Sequence, residues 1–143
     1  MRITRSIAAL LLSAICSASL SAQACSDLTV TGNGAPGTAL AFDISSAPTG
    51  ALTAIFVGFG GTMPASLGPT GLGLLPPAIP IAIGLADAMG NFGTSIDVPM
   101  TLTTQIMGDA QGLSIEFNFP MPGMPLSSLF TFCASDIEAF TAG

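Results

Sequence analysis

The sequence predicts an all-β protein: an antiparallel two-sheet sandwich of about seven or eight strands, preceded by a signal-peptide helix, with a small barrel as the alternative. Three observations carry this prediction. Short apolar runs alternate with polar residues at period two, Gly and Pro clusters punctuate them at short intervals, and no convincing amphipathic helix interrupts the series.

Residues 1–24 read as a secretory signal peptide. Arg2 and Arg5 precede the apolar run Ile7 to Ile15, and Ala22-Gln23-Ala24 forms an A-x-A cleavage pattern. The run is short for a membrane span, and no later stretch is long and apolar enough to be one. A retained anchor is the other reading. With cleavage after Ala24, residues 25–143 form a single domain that is secreted, periplasmic or at the cell surface, with no membrane span.

Ser26 to Val30 reads as a short edge strand, followed by the turn cluster TGNGAPG from Thr31 to Gly37. Leu40, Phe42 and Ile44 then alternate with Ala41, Asp43 and Ser45, a half-buried strand closed by Ala47-Pro48-Thr49-Gly50. Ala51 to Phe59 is apolar on both faces, which suits a central strand covered on both sides. Thr62 to Pro77, rich in Pro and Gly, reads as a long loop.

Ile79 to Val98 reads as a β-hairpin. Ile79, Ile81, Ile83 and Leu85 share one face, and Phe92, Thr94, Ile96 and Val98 share another. Asp87, Gly90 and Asn91 are turn formers between them. Pro99 to Gly112 reads as a connection with one helical turn around Thr103 to Met107. Leu113, Ile115, Phe117 and Phe119 alternate with Ser114, Glu116 and Asn118 in the strongest strand pattern of the chain. MPGMP, Met121 to Pro125, breaks the chain before strands at Leu126 to Cys133 and Asp136 to Thr141.

Residue inventory excludes most chemistry. The chain has no His, and its two basic residues, Arg2 and Arg5, both lie in the predicted signal, so the mature part keeps eight acidic side chains and no basic one. Nothing there neutralises phosphate, so nucleic acid is not an expected partner. Activation of a Ser, Thr or Cys by His or Lys is impossible, and no G-x-S-x-G turn offers an alternative. Asp136 and Glu138, two apart on a predicted strand, are the pair a carboxylate-only glycoside hydrolase would need, but Trp and Tyr platforms for sugars are absent. Half of the residues are hydrophobic, so uniform negative charge serves solubility, and self-association is expected as pH falls through the carboxylate range.

Cys16 lies in the predicted signal, which leaves Cys25 and Cys133. In an oxidising compartment they are expected to form one disulfide. Lipidation of Cys25 is the alternative, although Ala22 and Gln23 stand where a lipoprotein signal prefers Leu and a small residue. His-based zinc and copper sites are excluded, and Met100, Met107, Met121 and Met124 read as apolar packing rather than thioether ligands. No cofactor is expected, with Ca2+ as the exception to weigh: Asp87, Asn91 and Asp109 offer oxygen ligands without a D-x-[DN]-x-[DN]-G loop.

GNGAPGTALAFDISSAPTGALTAIFVGFG, LADAMGNFGTSIDVP and ASDIEAFTAG together resemble a group of small exported bacterial β-sandwich modules. These share a strand ending near an A-P-x-G-A turn, a following apolar strand and a D-x-x-G-N hairpin. The resemblance spans most of residues 25–143. It implies the sandwich architecture and carries no site residues, because no activity is assigned to the group. The loop Thr62 to Pro77 departs from the Cys-containing segment expected in such modules.

The expected function is a non-catalytic secreted structural or protein-interaction module. It would associate with itself or with an envelope or extracellular protein, through apolar loops at Thr62 to Pro77 and Phe119 to Leu126. A Ca2+- or ligand-binding adhesion-type domain is the alternative, and a carboxylate-only hydrolase the less favoured one.

Overall fold

A computed structural model describes residues 25–62, 71–119, 122–123 and 129–143. The predicted signal peptide, residues 63–70 of the loop Thr62 to Pro77, and Met121 and Met124 lie outside the described residues.

Seven strands follow one another: β1 (Asp27–Thr31), β2 (Ala39–Ser45), β3 (Leu52–Gly58), β4 (Ala78–Leu85), β5 (Phe92–Asp97), β6 (Ile106–Phe117) and β7 (Phe130–Ala142). They form two antiparallel sheets, a three-stranded one in the order β1-β2-β5 and a four-stranded one in the order β4-β3-β6-β7. The chain is therefore a sandwich and not a closed barrel. Constant-type immunoglobulin sandwiches group their first, second, fifth and fourth strands against the third, sixth and seventh. Here the fourth strand lies instead at the edge of the second sheet, beside the third.

Three sequence expectations are corrected by this topology. First, β4 and β5 are not a hairpin: β4 pairs with β3 and β5 with β2, so Ala86 to Asn91 is an arch between sheets. The turn chemistry is as expected, but a tight turn dictates only a reversal of the chain, not which strands pair. The β2–β3 connection crosses at the same end, and the two arches are stitched together. Ala47 N donates to Gly90 O at 3.0 Å and Ala86 N to Ala51 O at 2.9 Å. Gly90 has φ 79°, and a side chain there would run into the Ala47 carbonyl.

Second, the segment before Gly112 is strand rather than a connection with a helical turn. β6 begins at Ile106 and pairs with both β3 and β7. Third, the described parts of the last two predicted strands belong to one continuous β7. Their apparent break at Ala134-Ser135-Asp136 is a β-bulge opposite Gly112. Ser135 Oγ accepts the Gly112 N–H at 2.8 Å, which satisfies the amide that the bulge removes from the ladder.

The core lies between the sheets, and the three-stranded sheet supplies its bulk through Leu28, Leu40, Phe42 and Ile44, all at most 4 % exposed. The four-stranded sheet answers with Ile55 and Val57 and with small residues, among them Ala110 and Gly112. The space a Gly112 side chain would fill is taken by Ile44 Cδ1. Phe42 and Phe140 meet edge to face at 5.5 Å.

One side of the sandwich is closed between β1 and β7. The Cys25–Cys133 disulfide joins them across a Cα–Cα distance of 5.4 Å, as the cysteine arithmetic predicts. Ser26 bridges Ser135 in parallel, and the Leu28 N–H donates to Asp136 Oδ1 at 3.2 Å. Among the described residues no helix is long and apolar enough to cross a membrane.

Candidate interaction surface

Alternation along each strand separates an inner from an outer face, and the two outer faces of this sandwich differ in kind. On the three-stranded sheet, Leu28, Leu40, Phe42 and Ile44 point inward. Its outer face carries Asp27, Thr29, Asp43, Ser45, Ser95 and Asp97, with alanine as its largest hydrophobic side chain.

Near the β4–β5 arch the four-stranded sheet turns polar side chains inward. Its buried inward residues include Thr53 and Ser114, both 0 % exposed, with hydroxyls 3.0 Å apart. The apolar alternates therefore face out. Register places them in rows that run across the sheet: Leu85, Leu52, Ile115 and Phe132 form one row, and Ile83, Ala54, Leu113 and Ala134 the next. Phe117 and Phe130 complete the patch at its end, packed edge to face at 5.5 Å. Ile83 is 65 % exposed, Leu85 67 %, Phe117 57 % and Phe132 42 %. No charged side chain stands in these rows.

The position of Ile83 and Leu85 corrects the predicted dry face of β4. The register slips opposite Ile55 and Phe56, so that Ile81 is an unpaired extra residue. Ile81 packs on the core, while Ile83 and Leu85 are left on the outer face.

The adjoining row on the outer face, Pro80, Phe56, Gln111 and Ile137, bounds the patch. Residues 71–75 pass over it, anchored by Gln111, which is 1 % exposed. Its Oε1 accepts the Gly73 N–H at 2.7 Å, and its Nε2 donates to Gly71 O at 3.1 Å and to Ser135 O at 2.9 Å. Leu74 is buried beside Gly58 by the same crossing. Of the two loops expected to offer contacts, the described part of Thr62 to Pro77 thus limits the surface, while most of Phe119 to Leu126 lies outside the described residues.

The candidate calcium ligands do not converge. Asp87 and Asn91 share the β4–β5 arch, whereas Asp109 pairs with Gly58 at the opposite end of β3, roughly 20 Å away along the strand. Asp87 Oδ1 accepts the N–H groups of Met89 and Asn91, both at 2.8 Å, so its carboxylate closes the turn on itself. The backbone N–H of Asn91, then that of Met89, hold its pKa below the usual Asp value. Asp87 and Asn91 line an open groove of about 350 Å³ together with Asp43, Ser45 and Phe92, so two carboxylates border it. Among the described residues, no group of three or more His, Cys, Asp or Glu is placed to hold a metal.

Asp136 and Glu138 sit on β7 at the seam with β1, and Asp136 is tied to the β1 backbone. A groove of about 290 Å³ at the far end of the sheet is lined by Phe59, Met107, Asp109 and Phe140 and contains a single carboxylate. Neither place brings two facing acids into a cleft.

Comparison with protein-family profiles, with curated proteins and with solved structures finds no match to this chain.

Proposed function

We propose that this chain is a non-catalytic structural or protein-interaction module of an extracytoplasmic compartment, docked through the outer face of its four-stranded sheet. One observation carries the reading. Among the described residues, two cross-strand rows of apolar side chains, uninterrupted by charge and with Ile83, Leu85 and Phe132 exposed, lie on one face of a sandwich whose other face is polar. Contiguous apolar surface of this kind on a folded domain marks an interaction site.

Two further points support the reading. The disulfide is compatible with an oxidising compartment. The inventory of the chain, without His or Lys, lacks the bases that nucleophilic catalysis uses.

The test is the hydrodynamic state of the protein in a native extract of the cells that make it. Wild type is expected to run above monomer mass, and Ile83→Glu, an exposed position, to run as a monomer. A wild-type protein found only as free monomer would sink the reading.

A further inference from the structure

The surface described above allows its occupant to be identified by chemistry, and the following inference rests on that surface being an interface. We propose that the occupant is a second copy of this chain, placed face to face so that two four-stranded sheets pack across a twofold axis.

The charge distribution selects this partner. All eight acidic side chains lie off the patch. Asp27, Asp43 and Asp97 are on the outer face of the other sheet, Asp87 is in the arch, and Asp136 and Glu138 are on the seam with β1. Glu116 alternates to the opposite side of β6 from Ile115 and Phe117, and Asp109 is separated from the patch by residues 71–75. A cationic partner would be drawn to the other faces rather than to this one. A second copy brings an equally uncharged surface, so no like charges are forced together at the contact.

Area agrees with this choice. The exposed fractions of Ile83, Leu85, Phe117, Phe130 and Phe132, with the half-buried residues between them, leave on the order of 600 Å² uncovered, close to the ~800 Å² per partner of a standard interface. Sheets pack face to face with interdigitated apolar side chains inside this molecule already, and the same geometry is available to two outer faces. A twofold contact uses the same patch on both copies and closes on itself, so the assembly stops at two.

Net negative charge on both copies opposes association at long range, and salt screens it. The dimer therefore tightens as ionic strength rises, by about threefold or more between low and high salt.

Sedimentation equilibrium of the purified, disulfide-bonded protein tests this. Wild type is expected at twice the monomer mass. Ile83→Glu/Phe132→Glu is expected as a folded monomer, and Ser95→Glu, on the polar face, as a dimer. Circular dichroism confirms that each variant is folded. A wild-type monomer up to about 100 µM at high salt overturns the dimer. So does a dimer that survives the double substitution, or assembly into open polymers. If the purified protein is monomeric while the native extract still holds it in a larger complex that Ile83→Glu disrupts, the occupant is a different protein: the dimer falls and the interaction surface stands.

Discussion

Thr53 Oγ1 and Ser114 Oγ lie 3.0 Å apart, sealed between the two sheets, while their strand neighbours Leu52, Leu113 and Ile115 face away from the core. At this pair of positions the four-stranded sheet has its polar residues inside and their apolar neighbours outside, whereas Ile55, Val57 and Ala110 further along face the core. That local inversion is possible because Phe42, Ile44, Leu40 and Leu28 of the opposite sheet supply much of the core's bulk, while Ile55, Val57 and Phe140 complete it from the four-stranded sheet. The polar pair is tolerated because each hydroxyl has the other as a partner, and Thr53 Oγ1 also reaches Ala51 O at 3.2 Å.

Removing one member of that pair is expected to cost more than removing both. Thr53→Val leaves a buried Ser114 hydroxyl unpaired, at a cost of about 1–3 kcal/mol. Thr53→Val/Ser114→Ala should lie within about 1 kcal/mol of wild type, because no polar group is then stranded. Urea denaturation of the two single variants and the double variant closes the cycle. Additive losses would mean the two hydroxyls do not interact.

The Gln111 side-chain amide holds residues 71–75 against the sheet by two bonds, to the Gly73 N–H and the Gly71 carbonyl, and is itself fixed by a third to Ser135 O. Gln111→Leu fits the same space but leaves the Gly73 N–H and the Ser135 carbonyl without that partner. A loss of about 2–4 kcal/mol is expected, together with faster hydrogen exchange at the Gly73 amide. Unchanged exchange at Gly73 would show that the crossing is held by something else.

The Cys25–Cys133 disulfide spans 108 residues. A loop of that length is worth about 4–5 kcal/mol in the chain-entropy account, and removal of a native disulfide from a small exported domain costs about 2–5 kcal/mol. Cys25→Ser/Cys133→Ser is expected to fall in that range by chemical denaturation under non-reducing conditions. A loss below about 1 kcal/mol would place the strength of the β1–β7 seam in its hydrogen bonds instead.

Asp87 should make the β4–β5 arch acid-sensitive. Its pKa is depressed in the folded state by the amides of Asn91 and Met89, so its contribution is present above the unfolded Asp pKa of about 3.9 and is lost as pH falls through the lower folded value. Asp87→Asn is expected to flatten the decline of melting temperature below about pH 4 while leaving the profile above that pH parallel to wild type. Calcium should leave the wild-type melting temperature unchanged, because both backbone donors already occupy Oδ1 and Asp109 is at the other end of the sheet. A calcium-dependent rise would reinstate the arch as a cation site.

Much of the strand content was legible because period-two patterns are local. Leu40 to Ile44 and Leu113 to Phe117 announce strands directly. What alternation cannot say is which side is wet. Leu113, Ile115 and Phe117 have the pattern of a core face, and only the burial of Ser114 against Thr53 reveals that the apolar side is outermost. The start of β6 was hidden for a different reason. Met107-Gly108-Asp109-Ala110-Gln111 lacks apolar alternation because Gly108 yields space to Phe140 and Gln111 is buried under the 71–75 crossing. Bulges at Ile81 and at Ser135-Asp136 broke the patterns of β4 and β7, and pairing partners for β4 and β5 depend on contacts far apart in sequence. The signal that pointed to the surface was Ala51 to Phe59, apolar on both faces: one face meets the core, and the other belongs to the outer patch and its bounding row.

The most direct test of the central claim asks whether the outward apolar rows are covered when the protein is at work. Hydroxyl-radical footprinting reads this without any substitution, by comparing oxidation of Leu85, Phe117 and Phe132 with that of Met89 and Met100, which are 82 % and 84 % exposed and lie off the patch. On raising the protein from about 0.1 to about 100 µM, the first set should become protected by roughly threefold or more while the methionines stay equally reactive. Oxidation of Leu85, Phe117 and Phe132 that stays unchanged across that range would contradict the account of this face as a contact between two copies.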